Sequence, residues 1–292
     1  MKFDPKSTEA VMTEACLKVG IESRDSSLIR LGENAIYRLN KERAVVRIGR
    51  SLESSQKELS VAQWLMDNSF PGTEPLEKAP DIEIIDGLPV SFWKLIEESG
   101  SPVTSNDLGY VLKSFHELPE PSEPFLPEFT IMPKVVPRII GLRDRFSVET
   151  IDFLLSLHGE IENEYSGLHS ILGCGPLHGD AHIGNLMRDS ADILRLIDYG
   201  DTCIGPREWD VCVLAVAYRV GTAKRETYEE FADAYGFDAL NWDGFSIVQA
   251  IRELNMTTWL MQLIGQSSTV DVEIEKRIDD LRLGRKRCWE PF

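Results

Sequence analysis

Asp180, Asn185 and Asp198 are three oxygen-bearing side chains whose types and spacing fit the transfer of a phosphoryl group. They lie in the run Leu177-His178-Gly179-Asp180-Ala181-His182-Ile183-Gly184-Asn185 and in Leu196-Ile197-Asp198-Tyr199-Gly200-Asp201. A carboxylate at Asp180 can take the proton of an attacking hydroxyl. Asn185 and Asp198 offer hard oxygen donors, which suit Mg2+ sharing its shell with phosphate oxygens. Such a reaction asks the protein for positioning and charge stabilisation, and for little covalent chemistry.

The elements around these residues predict how they would meet. Residues 185–189 read as a short strand, Ser190-Ala191-Asp192 as a turn, and 193–197 as a second strand. A hairpin of that register carries Asn185 and Asp198 to its open end, with Asp180 in the loop just before it. His178 and His182 flank Asp180, yet a metal pair of imidazoles is the poorer reading, because Mg2+ prefers oxygen. His178 is expected to fix the loop by hydrogen bonding. Asp210 is expected to cap nearby amides, and Asp201 to be a turn carboxylate or else an extra metal or acceptor contact.

The pattern H-G-D-x-x-x-x-N, followed by a hydrophobic strand ending in Asp, resembles the aminoglycoside phosphotransferase and choline kinase group. Gly205-Pro206-Arg207-Glu208-Trp209-Asp210 is similar to that family's G-P-x-x-x-D continuation, so the specific part of the resemblance spans residues 176–212. Gly179 stands where a protein kinase would have Arg. The resemblance implies a bilobal protein-kinase-like α+β fold, with a small lobe of five antiparallel strands plus a helix and a larger, mainly helical lobe. It implies ATP or GTP as phosphate donor, Mg2+ as cofactor and a small-molecule hydroxyl as acceptor.

Composition narrows the classes. The chain has 292 residues, an ordinary apolar share of 42% and a formal net charge of −17. That acidity argues against nucleic acid as a partner. Residues before and after Phe92 carry nets of −3 and −14, and an acidic second half could draw a cationic acceptor or simply aid solubility. No apolar run approaches a membrane span, and Met1-Lys2-Phe3-Asp4-Pro5 lacks a signal-peptide core. Five dispersed cysteines without a C-x-x-C point to free thiols in a reducing, cytoplasmic setting. Oligomeric state is not readable.

Asp4-Pro5 predicts a helix start, with Met12, Ala15, Cys16 and Val19 on one face and Gly20 as the stop. Three strands follow at 27–31, 35–39 and 44–48, then a helix over 55–68, then strands at 82–85 and 88–96. That order matches a kinase small lobe. Gly32-Glu33-Asn34 is either a phosphate-covering flap, with backbone amides near Gly32 and Asn34, or an ordinary hairpin turn. Arg47 sits where the resembled family places a phosphate-binding base on the third strand; the other reading is a solvated strand charge. Glu58 is its candidate ion-pair partner, although Ser55-x-x-Glu58 also reads as a capping box. Trp93 and Leu95, at the end of the fifth strand, would offer main-chain groups to a nucleobase, with Trp93 alternatively a core side chain.

Residues 1–92 are thus expected to form the nucleotide-binding lobe, 93–106 the hinge and connector, and 107–292 the helical lobe with the catalytic loop and acceptor site. Helices are predicted from Leu108 to Pro119, over 136–146, 148–172, 209–220, 226–235, 245–264 and 272–289. His116 reads as a packing histidine. The loop from Pro119 to Pro133 would help to shape an acceptor site, as would Glu253, Asn255, Trp259 and the acidic residues of 226–233. The acceptor could be an aminoglycoside or other antibiotic, or a choline-like, sugar or homoserine-like metabolite. A protein kinase is disfavoured by the lack of D-F-G and A-P-E signatures, and a non-catalytic scaffold by the intact Asp180, Asn185 and Asp198.

Overall fold

The computed structural model describes residues 3–122 and 126–292, so part of the Pro119 to Pro133 loop lies outside the described residues. The chain forms two compact units. The first joins Met1–Thr104, Leu118–Pro127 and Ile183–Thr202; the second joins Ser105–Glu117, Glu128–His182 and Cys203–Phe292.

The first unit opens with α1 (Pro5–Lys18), where Asp4 accepts from the Ser7 amide at 2.9 Å and Pro5 occupies the first turn. Strands β1 (Ser26–Leu31), β2 (Ala35–Leu39) and β3 (Ala44–Ile48) follow, then α2 (Leu52–Asp67), β4 (Glu83–Ile85) and β5 (Leu88–Lys94). The five strands make one antiparallel sheet in the order β1-β2-β3-β5-β4, as the resemblance implies. In β2 and β3 the burial alternates strictly, so Ala35, Tyr37, Leu39, Ala44, Val46 and Ile48 share one core with Met12 and Cys16 of α1.

Helix α2 starts earlier than the predicted 55–68. Ser51 is its cap and accepts from the Ser54 amide at 3.3 Å. Ser55 therefore lies inside the helix, and Glu58 is too far along it to close a capping box.

The hairpin completes this unit. A 3-10 turn at Ile183–Asn185 precedes β7 (Leu186–Arg188), which pairs with β8 (Leu194–Leu196); β6 (Cys174–Leu177) lies in the second unit. Asp189 builds the tip: its Oδ1 accepts from the Ala191 and Ile193 amides at 2.9 Å, and its Oδ2 takes Arg195 Nε at 2.6 Å. The first strand is shorter than expected because Asn185 closes the 3-10 turn and Asp189 builds the tip. The hairpin docks on residues 71–73, with Thr73 N donating to the Leu196 carbonyl at 3.1 Å and Leu196 N to that of Pro71 at 3.2 Å.

The second unit is mainly helical. It contains α3 (Ser105–His116), α4 (Val135–Gly141), α5 (Val148–Tyr165), β6 (Cys174–Leu177), β9 (Cys203–Pro206), α6 (Glu208–Val220), α7 (Arg225–Tyr235), α8 (Phe245–Met261) and α9 (Ser268–Leu283). Strands β6 and β9 form a two-stranded antiparallel ribbon. Its apolar core gathers Val135, Ile139, Leu154, Ile161, Ile251, Leu254 and Ile274. Three helices end about five or more residues sooner than predicted. Helix α4 stops at Gly141, before Ser147 caps α5. Helix α5 stops at Tyr165, because the Glu208 carboxylate takes the Ile171 and Leu172 amides and holds that stretch as a loop. Helix α9 stops at Gly284 in a left-handed cap, and residues 285–292 return along it, Trp289 Nε1 donating to Asp280 at 3.0 Å.

Candidate active site

Arg47 is the centre of the charged cluster in the first unit. Strand β3 carries it opposite Ser91 of β5 and Ile36 of β2. Its Nη2 lies 2.9 Å from Glu58 Oε1 and 3.2 Å from Asp198 Oδ1. With the Asn34 amide oxygen turned toward the guanidinium, Asn34 accepts from Arg47 Nε at 3.0 Å and Nη2 at 2.6 Å. Of the two readings for Glu58, the structure has the ion pair. Asn34 contacts the arginine with its side chain, while its carbonyl accepts from the Gly32 amide at 3.0 Å to close the β1–β2 turn. Arg50 braces the same turn, donating to the carbonyls of Glu33 and Gly32.

Asn185 and Asp198 stand at the open end of the hairpin. Ile197 N donates to the Asn185 carbonyl at 3.0 Å, which extends the β7–β8 pairing by one step. The Asn185 side chain is buried and that of Asp198 is 42% exposed. Asp198 has φ +68°, a left-handed conformation that is unfavourable for a non-glycine residue and concentrates at functional sites. The crowding reaches Gly200: a Cβ there would stand 3.3 Å from Glu58 Oε1 and 3.8 Å from Asp198 Oδ1.

Burial pushes the Glu58 carboxyl up to about 7; Arg47 opposes this and Asp198 adds to it. Among the described residues no three His, Cys, Asp or Glu side chains form a metal-holding group. An amide oxygen with one carboxylate instead fits a hard cation whose shell is completed by phosphate and water.

Trp93 and Leu95 fall elsewhere. Trp93 pairs with Val45 in the ladder, its side chain is buried, and its Nε1 donates to Ser91 Oγ at 2.9 Å, so it is a core residue. The Leu95 amide, expected to face a nucleobase, donates to the Arg43 carbonyl at 2.9 Å and simply continues the β3–β5 pairing.

Asp180 lies in the second unit, in the loop after β6. Its side chain is 53% exposed, and its Oδ2 lies 3.4 Å from His182 Nε2. The bond to His182 holds the carboxyl below its ordinary value. Burial opposes that, and the charges of His182, Arg252 and His178 reinforce it. The loop is anchored by Asp210, fully buried at the start of α6, which accepts from the His178 amide at 2.7 Å and the Gly179 amide at 3.0 Å. His116 continues the anchor, with Nε2 3.2 Å from Asp210 Oδ2 and Nδ1 2.8 Å from Tyr235 Oη. Burial alone would raise the Asp210 carboxyl, but the bonds and charges of His116 and His178 hold it below its ordinary value.

The expected packing histidine thus serves the loop, and the expected capping role of Asp210 has definite partners. Two anchor residues had no sequence signal pointing to the loop. Trp209 Nε1 donates to the Gly179 carbonyl at 2.9 Å, and Arg252 stacks on Trp209 with Cζ 4.0 Å from the ring centroid. Only their place beside Asp210 and on α8 could have hinted at it. Glu253 is corrected: it is 2% exposed and ion-paired with Arg287 at 2.8 Å, so its carboxylate serves the returning tail and not an acceptor. Trp259 stays exposed on the same helix.

Solved structures share this fold. An amicoumacin kinase (hAmiN) in complex with AMP-PNP, Ca2+ and Ami aligns with TM-score 0.75 at 14% identity, covering 98% of both chains. A microcompartment-associated aminopropanol kinase aligns at 0.70 and 16% identity, covering 94% of both. A choline/ethanolamine kinase family protein from Mesorhizobium loti aligns at 0.63 and 14%, covering 94% of both. No curated protein sequence matches at a significant level. The model of the phosphotransferase enzyme family matches residues 29–246, from β1 to the start of α8 and through every residue of both charged clusters except Arg252, and the chain belongs to that family.

Proposed function

We propose that the protein moves the terminal phosphoryl group of ATP or GTP to a hydroxyl of a small molecule. The observation that carries this reading is Arg47 held jointly by Glu58 and Asp198, because it fixes a phosphate-binding cation beside a metal-binding carboxylate. Asp180 orients the acceptor hydroxyl and takes its proton as the oxygen bonds to the terminal phosphorus. The bond from that phosphorus to the bridging oxygen breaks, the nucleoside diphosphate leaves with the electron pair, and Asp180 returns its proton to solvent. Its depressed pKa and exposed carboxylate suit it to be ionised and reachable at neutral pH.

Arg47 steadies the phosphates, and the Gly32 turn covers them. Asn185 and Asp198 would hold Mg2+, which supplies charge neutralisation to the phosphate oxygens when bound. The structural relatives support a nucleotide donor and a divalent metal: one carries AMP-PNP with Ca2+. They are also named for different acceptors, amicoumacin in one and aminopropanol in the other. A cationic acceptor is favoured by the −17 net charge, in a resistance or a metabolic role.

The test is diphosphate release from Mg·ATP and Mg·GTP against aminoglycosides, spectinomycin, choline, ethanolamine, aminopropanol and homoserine. At least one acceptor should stimulate release, and Asp180→Asn should abolish the stimulation. If no acceptor stimulates it and Asp180→Asn behaves as wild type, the protein is a nucleotide-binding scaffold instead.

A further inference from the structure

The Asp180 loop is gripped at Gly179 from two directions within the second unit. Asp210 holds the Gly179 amide, and the Trp209 indole holds the Gly179 carbonyl. The Trp209 ring in turn has two close neighbours. Phe129 lies against its ring at a centroid distance of 4.7 Å, and the Arg252 guanidinium covers it at 4.0 Å. Arg252 Nη2 also donates to the Trp209 carbonyl, so one cation fixes both the ring and the backbone of the same residue.

This arrangement is costly to the fold. Burial lowers the Arg252 pKa, against the countering carboxylates of Asp210 and Asp180. Its Nε is buried without a hydrogen-bond partner. An apolar side chain would fill the same space without those penalties. A planar, permanently charged group is what the double contact needs, and lysine could not supply it.

We infer that Arg252 is a positioning residue: its guanidinium fixes Trp209, Trp209 fixes the Gly179 carbonyl, and the Gly179–Asp180 peptide then sets where the Asp180 carboxylate stands. This rests on Asp180 receiving the hydroxyl proton, as proposed above. Arg252 also acts on that carboxylate through its charge. The groups facing Asp180 are His182 and His178 from its own loop and Arg252 from α8, and all three favour its ionised form.

The test uses the full chain with Mg·ATP and the acceptor of highest turnover in the panel above, or water where only slow nucleotide hydrolysis is seen. Arg252→Lys and Trp209→Phe should each lower kcat by about 10-fold or more while leaving KM for Mg·ATP within about 2-fold, since a small misplacement of a catalytic group acts on the transition state. Arg252→Gln should also move the acid limb of the kcat profile upward, whereas Arg252→Lys, which keeps the charge, should not. Asp180→Asn in the same assay separates the two readings. If it retains kcat, the proton-acceptor assignment fails whatever Arg252 does. If it is inactive while Arg252→Gln and Trp209→Phe keep the wild-type kcat and acid limb, the positioning role alone is overturned. Should the Arg252 variants not fold, Trp209→Phe decides by itself, because a lowered melting temperature with unchanged kcat sinks the inference.

Discussion

Arg47 Nη2 stands 2.9 Å from Glu58 Oε1, tying β3 to α2 inside the first unit. Burial outweighs this attraction and lifts the Glu58 carboxyl from 4.5 to about 7. A carboxyl raised by folding favours the neutral form. Its contribution to stability is full below pH 4.5 and is lost as pH rises through about 7. At 1.36 kcal/mol for each unit, the whole swing is about 3 kcal/mol. The Glu58→Gln variant cannot titrate there. Urea unfolding of both proteins from pH 4.5 to 8 should therefore show wild type losing about that much relative to the variant. A difference that stays flat across this range would show that Arg47 keeps Glu58 ionised throughout.

Asp180 behaves in the opposite sense. Its folded pKa is depressed, chiefly by the bond to His182, so the carboxylate is favoured by the fold above its unfolded value and that favour is lost as pH falls. Half-exposed, it contributes little to stability; the consequence is kinetic. His182→Gln should shift the acid limb of kcat upward and leave the neutral plateau within about 3-fold, as expected when a neighbour tunes a base without replacing it. Asp180→Asn should cost about 100-fold or more in kcat, the usual contribution of a positioned base, while nucleotide affinity by calorimetry stays near wild type. Loss of nucleotide binding in Asp180→Asn would move Asp180 from proton transfer to phosphate binding.

The sequence was most legible where chemistry and local geometry coincide. Alternation in β2 and β3 gave the sheet, and the Ser190-Ala191-Asp192 turn gave a hairpin that carries Asn185 and Asp198 to one end. It was least legible where a side chain distant in sequence decides a boundary. Helix α5 ends at Tyr165 because Glu208 captures the amides of Ile171 and Leu172, and no pattern within 148–172 signals that. Glu253 failed for the same reason, since its partner Arg287 lies on a tail that reads as continuous helix. Ser51 was missed because the run Ser51-Leu52-Glu53-Ser54-Ser55 offers several serines of equal capping chemistry. Trp209 and Arg252 act through a ring face and a carbonyl, contacts that leave no spacing to read.

Asp210 should be worth more to the fold than its single charge suggests. It is fully buried and accepts from two amides of the Asp180 loop, with His116 at a third edge. Asp210→Ala strands both amides, at about 1–3 kcal/mol for each unsatisfied buried donor. The expected loss in urea unfolding at pH 7 is therefore about 2–6 kcal/mol. Because its folded pKa is depressed, wild type should lose this advantage as the pH drops below the ordinary carboxyl range. A loss below about 1 kcal/mol would mean that water replaces the carboxylate and that the loop is not anchored there.

Gly72 tests whether the docking of the hairpin sets Asp198. A Cβ at this position would lie 2.1 Å from Tyr199 Oη and 3.3 Å from the Leu196 carbonyl. Tyr199 cannot swing away, being 1% exposed, with its hydroxyl donating to Leu196 O at 2.7 Å and accepting from Thr73 N at 2.8 Å. Gly72→Ala must then displace Tyr199 or the hairpin, and Asp198 adjoins Tyr199 in the chain. Overpacking of this kind costs about 1–3 kcal/mol, and the concentration of Mg2+ needed for half-maximal activity should rise. Tyr199→Phe removes the atom that the new methyl strikes, leaving the Thr73 amide to lose one bond, at about 1 kcal/mol. The double variant should consequently be more stable, and need less Mg2+, than the sum of the two single losses predicts. Strictly additive losses in both measurements would mean that the methyl group is absorbed locally, and that the 71–73 segment does not govern where Asp198 stands.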